Sequence, residues 1–150
     1  MKNQKGFTLP ELIITMGILS ILFGFVAVNL IHLQRRSSLT TTVDTLVSDL
    51  YSQQNKAMVG DTEGRVTVDE YGVHFETNKY SFFHGLSYST SDFDVELDPS
   101  LQFLSTTDII FSKGGGEVSG APITVTLQDT TNGNIKTIIF NRYGVITDIN

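Results

Sequence analysis

KGFTLPEL, from Lys5 to Leu12, leads straight into a long apolar stretch, and the two together decide how the chain begins to fold. No charged residue occurs between Leu12 and Gln34, so the stretch is long enough to cross a bilayer as a helix. Glu11 stands at its start. Insertion scales assign a central Asp or Lys a cost of about 2.5–3.5 kcal/mol, so a carboxylate in such a helix is a functional hypothesis that needs a partner.

Composition limits what the rest of the chain can be. The 150 residues leave room for one small soluble domain after the apolar segment. The chain has 10 Lys+Arg against 16 Asp+Glu, a net charge of −6, which argues against nucleic-acid binding as its main task. Cysteine is absent, which excludes disulfides, zinc–thiolate sites and a cysteine nucleophile.

The charge and apolar patterns divide the chain into four parts. Residues 1–6 form a short leader with Lys2 and Lys5, 7–34 a transmembrane helix, 35–60 an amphipathic helix, and 61–150 a β-rich globular domain. An ordinary secretory signal has its small cleavage-site residues after the apolar core, whereas Gly6 precedes it. Cleavage after Gly6 would therefore leave the helix on the mature protein.

The second half of the helix shows one apolar stripe. Apolar residues recur at helical spacing between polar ones, at Leu39, Val43, Leu46, Val47, Leu50, Ala57 and Met58. Such a stripe needs a surface to pack on, and a sheet of the same chain is the expected one. Gly60 followed by Asp61 signals a stop, so we predict a helix from Leu9 to Val59.

After Gly60 the apolar period becomes two, which is typical of antiparallel strands. Alternation predicts strands around Val66–Val68, Val73–Phe75, Tyr80–Phe82 and Phe93–Leu97, a hairpin of Ile123–Gln128 with Ile135–Phe140, and a last strand at Val145–Ile149. Asn132-Gly133 suits the hairpin turn, and the glycine-rich segment Ser112–Pro122 is predicted to be a mobile surface loop. The predicted fold class is α+β, with a long N-terminal helix packed on an antiparallel sheet.

Small residues recur along the apolar helix. Gly17, Ser20, Gly24 and Ala27 are spaced by three and four, which places them on one helical face. Small faces allow helices to approach closely, so this face is a candidate packing surface. Glycine and serine are also simply frequent in membrane helices, and the pattern alone does not separate the two interpretations.

Gly6-Phe7-Thr8-Leu9-Pro10-Glu11 before an uncharged helix resembles the class III signal of type IV pilins and type II secretion pseudopilins. In that family a prepilin peptidase cuts after the glycine and methylates the new N-terminal phenylalanine. The resemblance implies cleavage between Gly6 and Phe7 and N-methylation of Phe7. It also implies that Glu11 attracts the Phe7 amine of a neighbouring subunit and so sets the stagger of a filament.

Physical chemistry agrees with that role for Glu11, because two opposite charges in a low dielectric are each costly alone and are relieved by pairing. The alternative is a carboxylate at the helix start, solvated near the interface and stabilised by the helix dipole. Pro10 departs from the aliphatic residue more common there, but the first helical turn tolerates proline.

The resemblance also implies partners and a location. The partners would be other pilin or pseudopilin subunits, the prepilin peptidase, an assembly platform protein and the membrane. The chain would lie in the cytoplasmic membrane as a single-pass protein with its N-terminus inside, then in a periplasmic or cell-surface filament. The segments Phe111–Gly114 and Arg142–Val145 weakly resemble minor pseudopilins of the GspH/FimT type. The machine, whether pilus, secretion system or competence apparatus, stays open.

The acidic, histidine and basic residues of the β-rich part could also carry chemistry. Asp92, Asp94, Glu96 and Asp98 alternate with Phe93, Val95 and Leu97, which predicts that the apolar set faces the core while the acids face water rather than calcium. A weak calcium site at Asp129 or Asp148 stays open. Alternation predicts a solvent-facing His74, and no pair among His32, His74 and His84 has metal-ligand spacing. The candidates for DNA contact are Lys113, Lys136 and Arg142, which the acidic net charge opposes.

The sequence therefore predicts a pilin-like or pseudopilin structural subunit with no enzymatic activity, cofactor or metal. A different class is the alternative: a single-span membrane protein that presents a ligand-binding β-domain and never polymerises. The two differ in whether the chain is cut after Gly6.

Overall fold

The computed structural model describes residues 8–150, and within the first helix it describes the side chains up to residue 24 and again from residue 38. The chain divides into two units, Met1–Ser37 and Ser38–Asn150. One helix, α1, runs from Leu9 to Val59 and contributes residues to both. The predicted helix boundaries are confirmed.

The end of α1 follows from a glycine cap. Gly60 has a φ of 68°, in the left-handed region that glycine reaches without a steric cost. The Asp61 N–H donates to the Lys56 carbonyl at 3.0 Å. This is the 6→1 hydrogen bond of a Schellman motif, the one that spans more residues. The stop predicted from Gly60 and Asp61 thus has a defined geometry.

Eight strands follow the helix and form two antiparallel sheets. Their bounds are β1 Tyr71–Phe75, β2 Lys79–His84, β3 Phe93–Glu96, β4 Leu101–Phe103, β5 Thr107–Phe111, β6 Ile123–Asp129, β7 Ile135–Phe140 and β8 Ile146–Ile149. The first sheet has the order β3-β2-β1-β5 and the second the order β4-β6-β7-β8. The expected single sheet was wrong in this respect, because β4 pairs with the distant β6 and not with its neighbour β3.

The apolar stripe of α1 and the inner faces of both sheets form one core. Leu46 and Leu50 of the helix are 0% and 1% exposed. Their counterparts are Val73, Phe75, Ile109 and Phe111 of the first sheet and Val125, Leu127, Ile138 and Phe140 of the second. The predicted stripe is confirmed apart from Met58, which is 49% exposed.

The predicted hairpin is confirmed, with Ile123 opposite Phe140 and Gln128 opposite Ile135. Its turn has one left-handed residue, Gly133, with a φ of 74°. The Gly133 N–H donates to the Asp129 carbonyl at 2.8 Å, so the loop is longer than a two-residue turn.

The strand predicted around Val66 and Val68 was wrong. Val66 is 100% exposed, and the Arg65 N–H closes a turn on the Thr62 carbonyl at 2.7 Å. Two apolar residues at a spacing of two are too short a pattern to require a strand. In the described part of the chain, neither sheet includes them.

The segment Ser112–Pro122, predicted to be a mobile surface loop, is instead attached to the end of α1. The Gly114 N–H donates to the Ala57 carbonyl at 2.9 Å, and the Gln54 side chain donates to the Gly116 carbonyl at 3.0 Å. Val118 is buried in the core. Glycine at position 116 thus allows the segment to approach the helix closely, since a Cβ there would lie 2.6 Å from the Met58 side chain.

A partly buried hydrogen bond joins the helix to the first sheet. The Tyr80 hydroxyl, on a side chain that is 1% exposed, donates to Oδ2 of Asp49 at 2.5 Å. Burial raises the pKa of the Tyr80 phenol, with the hydrogen bond to Asp49 acting in the same direction, so the phenol stays protonated and continues to donate.

Replacing this donor is expected to destabilise the domain. Tyr80→Phe should lower the free energy of unfolding by about 1.5–3 kcal/mol, because a hydrogen bond to a charged group is lost. Tyr51→Phe is the matched control, on a side chain that is 42% exposed, and should change it by less than about 0.5 kcal/mol. Urea unfolding of the detergent-solubilised chain measures both, and equal midpoints would contradict the assignment.

Candidate functional site

The described chain begins with a capped helix. The Thr8 N–H donates to Oε2 of Glu11 at 3.0 Å, and the Thr8 hydroxyl donates to the same oxygen at 2.7 Å. The Thr8 carbonyl accepts from the Leu12 N–H at 3.2 Å, which opens the helical hydrogen-bond series. The Glu11 side chain therefore reaches back to the N–H of the residue before the helix, which is one of the two hydrogen bonds of a capping box.

Sequence reasoning named Glu11 and missed Thr8. A Thr followed three residues later by a Glu, just before an apolar run, is itself a recognised helix-start pattern. That spacing was the signal that could have found Thr8. The structure thus supports the helix-start interpretation of Glu11, and the subunit-pairing role stays a prediction.

The helix that follows the cap is apolar on every side. Consecutive residues such as Ile13 and Ile14, both 61% exposed, point in different directions around the axis. The large exposed apolar side chains are Leu9, Leu12, Ile13, Ile14, Met16, Ile18, Leu19, Ile21, Leu22 and Phe23. A helix without a polar face needs apolar surroundings on all sides, from lipid or from other helices.

The polar side chains between residues 12 and 24 are satisfied inside the helix. The Thr15 hydroxyl donates to the Leu12 carbonyl at 3.0 Å, and the Ser20 hydroxyl donates to the Met16 carbonyl at 2.8 Å. These are the backbone acceptors that Ser and Thr use within helices. The hydroxyl groups thus need no water, which suits an apolar environment.

The small face is open in the isolated chain. A Cβ placed on Gly17 or Gly24 would meet nothing within 4 Å, so neither glycine is required by contacts inside the described chain. Ser20 is exposed between them, and the side chain of Ala27 lies outside the described residues. The role of this face in helix packing remains a prediction.

The processing residues Gly6 and Phe7, like the whole leader 1–6, lie outside the described residues. The predicted span 7–34 also extends beyond the described side chains. Over the part of the chain that was described, no helix combines the length and apolar character needed to cross a membrane.

Strand β3, which contains Asp94 and Glu96, differs from its prediction at one residue, Phe93. Val95 and Leu97 pack against the core as expected, but Phe93 is 62% exposed. Phe93 lies at one end of the edge strand β3 and stacks on Phe82, with ring centroids 6.1 Å apart. One acid of this strand forms an ion pair, since Lys79 Nζ lies 3.1 Å from Oδ2 of Asp94.

His74 does not face open solvent as predicted. Its ring stacks on Tyr88 with centroids 3.9 Å apart, and its Nδ1 lies 2.5 Å from Oδ1 of Asp108. The side chain is only 15% exposed, because the segment after β2 folds over the outer face of the first sheet. Cross-strand register places Asp108 opposite His74, and alternation within one strand cannot reveal that.

The residues left open for calcium have structural contacts. Oδ1 of the buried Asp129 accepts from the Thr131 N–H at 2.8 Å, and Asp148 accepts from the Asn150 side chain. Among the described residues no group of three or more His, Asp or Glu side chains is placed to hold a metal ion. Of the basic candidates, Arg142 lies 3.7 Å from Glu117.

Comparison with known protein families gives a match at the N-terminus. Residues 1–27 match the family described as the prokaryotic N-terminal methylation motif, which is the class III prepilin signal of type IV pilins and pseudopilins. No curated protein matches the chain. No solved structure matches it either. The methylation motif supports a pilin-like protein that is processed by prepilin peptidase.

Proposed function

We propose that this protein is a structural subunit of a pilin-like filament, processed after Gly6, methylated on Phe7 and assembled through the N-terminal half of α1. The match of residues 1–27 to the methylation motif carries the proposal. The motif covers the cleavage residues, the glutamate and most of the apolar helix. In this proposal the chain has a structural role and no catalytic one.

The character of the helix supports the assembly role. Its exposed apolar side chains need lipid before assembly and other helices afterwards, and the same surface can serve in both environments. Glu11 is the only charged side chain among residues 8–24. An ionised carboxylate in such surroundings is stabilised by a cation, and cleavage after Gly6 creates one at the Phe7 amine.

We place the unassembled subunit in the cytoplasmic membrane, with residue 7 toward the cytoplasm and the β-domain outside. Its partners are then sibling subunits, the prepilin peptidase and an assembly platform protein. A pilus, a type II secretion system and a competence machine all fit this chemistry. The alternative is a single-span protein with a ligand-binding β-domain that does not polymerise.

The mass of the mature N-terminus separates the two functions. In a host that has prepilin peptidase, we expect a chain that begins at N-methylated Phe7, measured by mass spectrometry of the purified protein. A Gly6→Leu variant, which blocks the cleavage site, should keep Met1 and the leader. A wild-type chain that retains its leader in the same host would end the filament proposal.

Removal of the Glu11 charge should block assembly and spare processing. Glu11→Ala and Glu11→Gln should both lower the yield of sheared fibres at least roughly a hundredfold, because breaking a buried ion pair costs about 3–5 kcal/mol. The glutamine keeps an acceptor for Thr8 and so keeps much of the cap. Fibres at normal yield from Glu11→Gln would assign Glu11 to the cap alone.

Added volume on the small face should weaken assembly without harming the isolated helix. The Cβ that Gly17→Ala adds has no described atom within 4 Å, and the change favours the helix by about 1 kcal/mol. A methyl group inserted at a close contact between two helices, in contrast, costs about 1–3 kcal/mol. Fibre yield is the measurement. Ser20→Ala, which adds no volume on the same face, is the control. Equal yields for all three chains would show that this face makes no close contact.

A further inference from the structure

Residues 85–92 join β2 to β3 and fold over the outer face of the first sheet. Leu86 in this segment is 80% exposed, whereas Tyr88 is half-buried and lies on Phe83, with ring centroids 5.5 Å apart. Phe83 is itself 0% exposed. Few side chains therefore attach the segment to the sheet, which is typical of a part that can open locally.

Two histidines contribute to this attachment. The His74 ring stacks on Tyr88 with an interplanar angle of 5°, and an aromatic face attracts a cation. At the base of the segment, Nδ1 of His84 lies 2.9 Å and 2.8 Å from the two carboxylate oxygens of Asp92. Histidine is the side chain whose charge ordinarily changes between about pH 5 and 8, so both contacts can respond to pH.

His74 has a carboxylate near each ring nitrogen. Nδ1 lies 2.5 Å from Oδ1 of Asp108, and Nε2 lies 3.8 Å from Oε1 of Glu76. A protonated ring has an N–H on both nitrogens, whereas a neutral ring faces one of these carboxylates with a lone pair. The charged ring is therefore held in this place more firmly than the neutral one.

Two cations act on the same carboxylates. Lys79 Nζ lies 3.6 Å from Oε1 of Glu76, so it competes with His74 for that oxygen. The Arg65 guanidinium interacts electrostatically with Asp92 and competes with the second histidine in the same way. Both cations keep their charge between pH 5 and 8, so they reduce the attraction without changing its dependence on pH.

We infer that residues 85–92 form a pH-sensitive strap, which the charged rings of His74 and His84 hold on the first sheet. As the pH falls toward 5, the rings gain a positive charge beside ionised carboxylates and the strap closes. As the pH rises toward 8, the charge is lost, the strap loosens and Phe83 is uncovered. This inference does not depend on the function proposed for the N-terminal helix.

Hydrogen exchange of the full-length chain in detergent tests the strap. Exchange of the amides in residues 85–92 is measured by mass spectrometry at about pH 5.5 and 8, and each rate is divided by the intrinsic rate at that pH. We expect protection to fall roughly tenfold at the higher pH, because a hydrogen bond to a charged group becomes one between a neutral ring and a carboxylate. The turn at residues 130–134, whose described hydrogen bonds include no histidine, should stay within about twofold.

Variants separate the charge of the rings from their packing. The double variant His74→Phe/His84→Gln keeps an aromatic ring for the stack and a donor at the base, but neither side chain can be charged. Its protection at residues 85–92 should change by less than about twofold between the two pH values.

Asp108→Asn is a milder change, which keeps the size of the side chain and removes one charge beside His74. It should reduce the pH dependence of the wild type at least roughly threefold, whereas the matched control Asp98→Asn, on a carboxylate that pairs with Ser100, should leave it unchanged. Equal protection of wild-type residues 85–92 at both pH values would overturn the inference. The full wild-type pH dependence in the double variant or in Asp108→Asn would overturn it as well.

Discussion

Burial of one stripe of α1 against two sheets is the interaction on which the rest of the domain depends. Leu46 and Leu50 lie at the centre of a core that neither sheet could complete alone, because each sheet offers the helix only one apolar face. Gln54 then binds the carbonyls of Gly116 and Tyr143, so two glycine-containing turns are held by the same helix. The helix thus packs against both sheets and also binds the two turns.

Over residues 9–24 the same helix has a second apolar surface, which is exposed among the described residues. Residues 38–59 show a stripe, whereas residues 9–24 expose apolar side chains all round. A stripe can be satisfied within one chain, but a fully apolar cylinder needs partners on every side. This difference is the physical basis for our proposal that the second half of α1 serves folding and the first half serves association.

Much of the candidate site follows from local pattern. Glu11 could be singled out because a charge at the start of an apolar helix is costly, and Gly60 because only glycine takes a left-handed cap freely. Thr8 was within reach of the same reasoning, since its spacing from Glu11 is a helix-start signal. The contact of His74 with Asp108 could not be predicted in this way, because it depends on which strand lies beside β1.

The sequence alone determined the helix from Leu9 to Val59, the hairpin from Ile123 to Phe140 and the N-terminal motif, since periods of 3.6 and two and glycine stops act over a few residues. Only the tertiary structure decided that the strands form two sheets, that Phe93 stays exposed at an edge and that the segment from Ser112 is held against the helix. Strand partners are chosen among segments far apart in the chain by shared burial, and no local pattern encodes that choice.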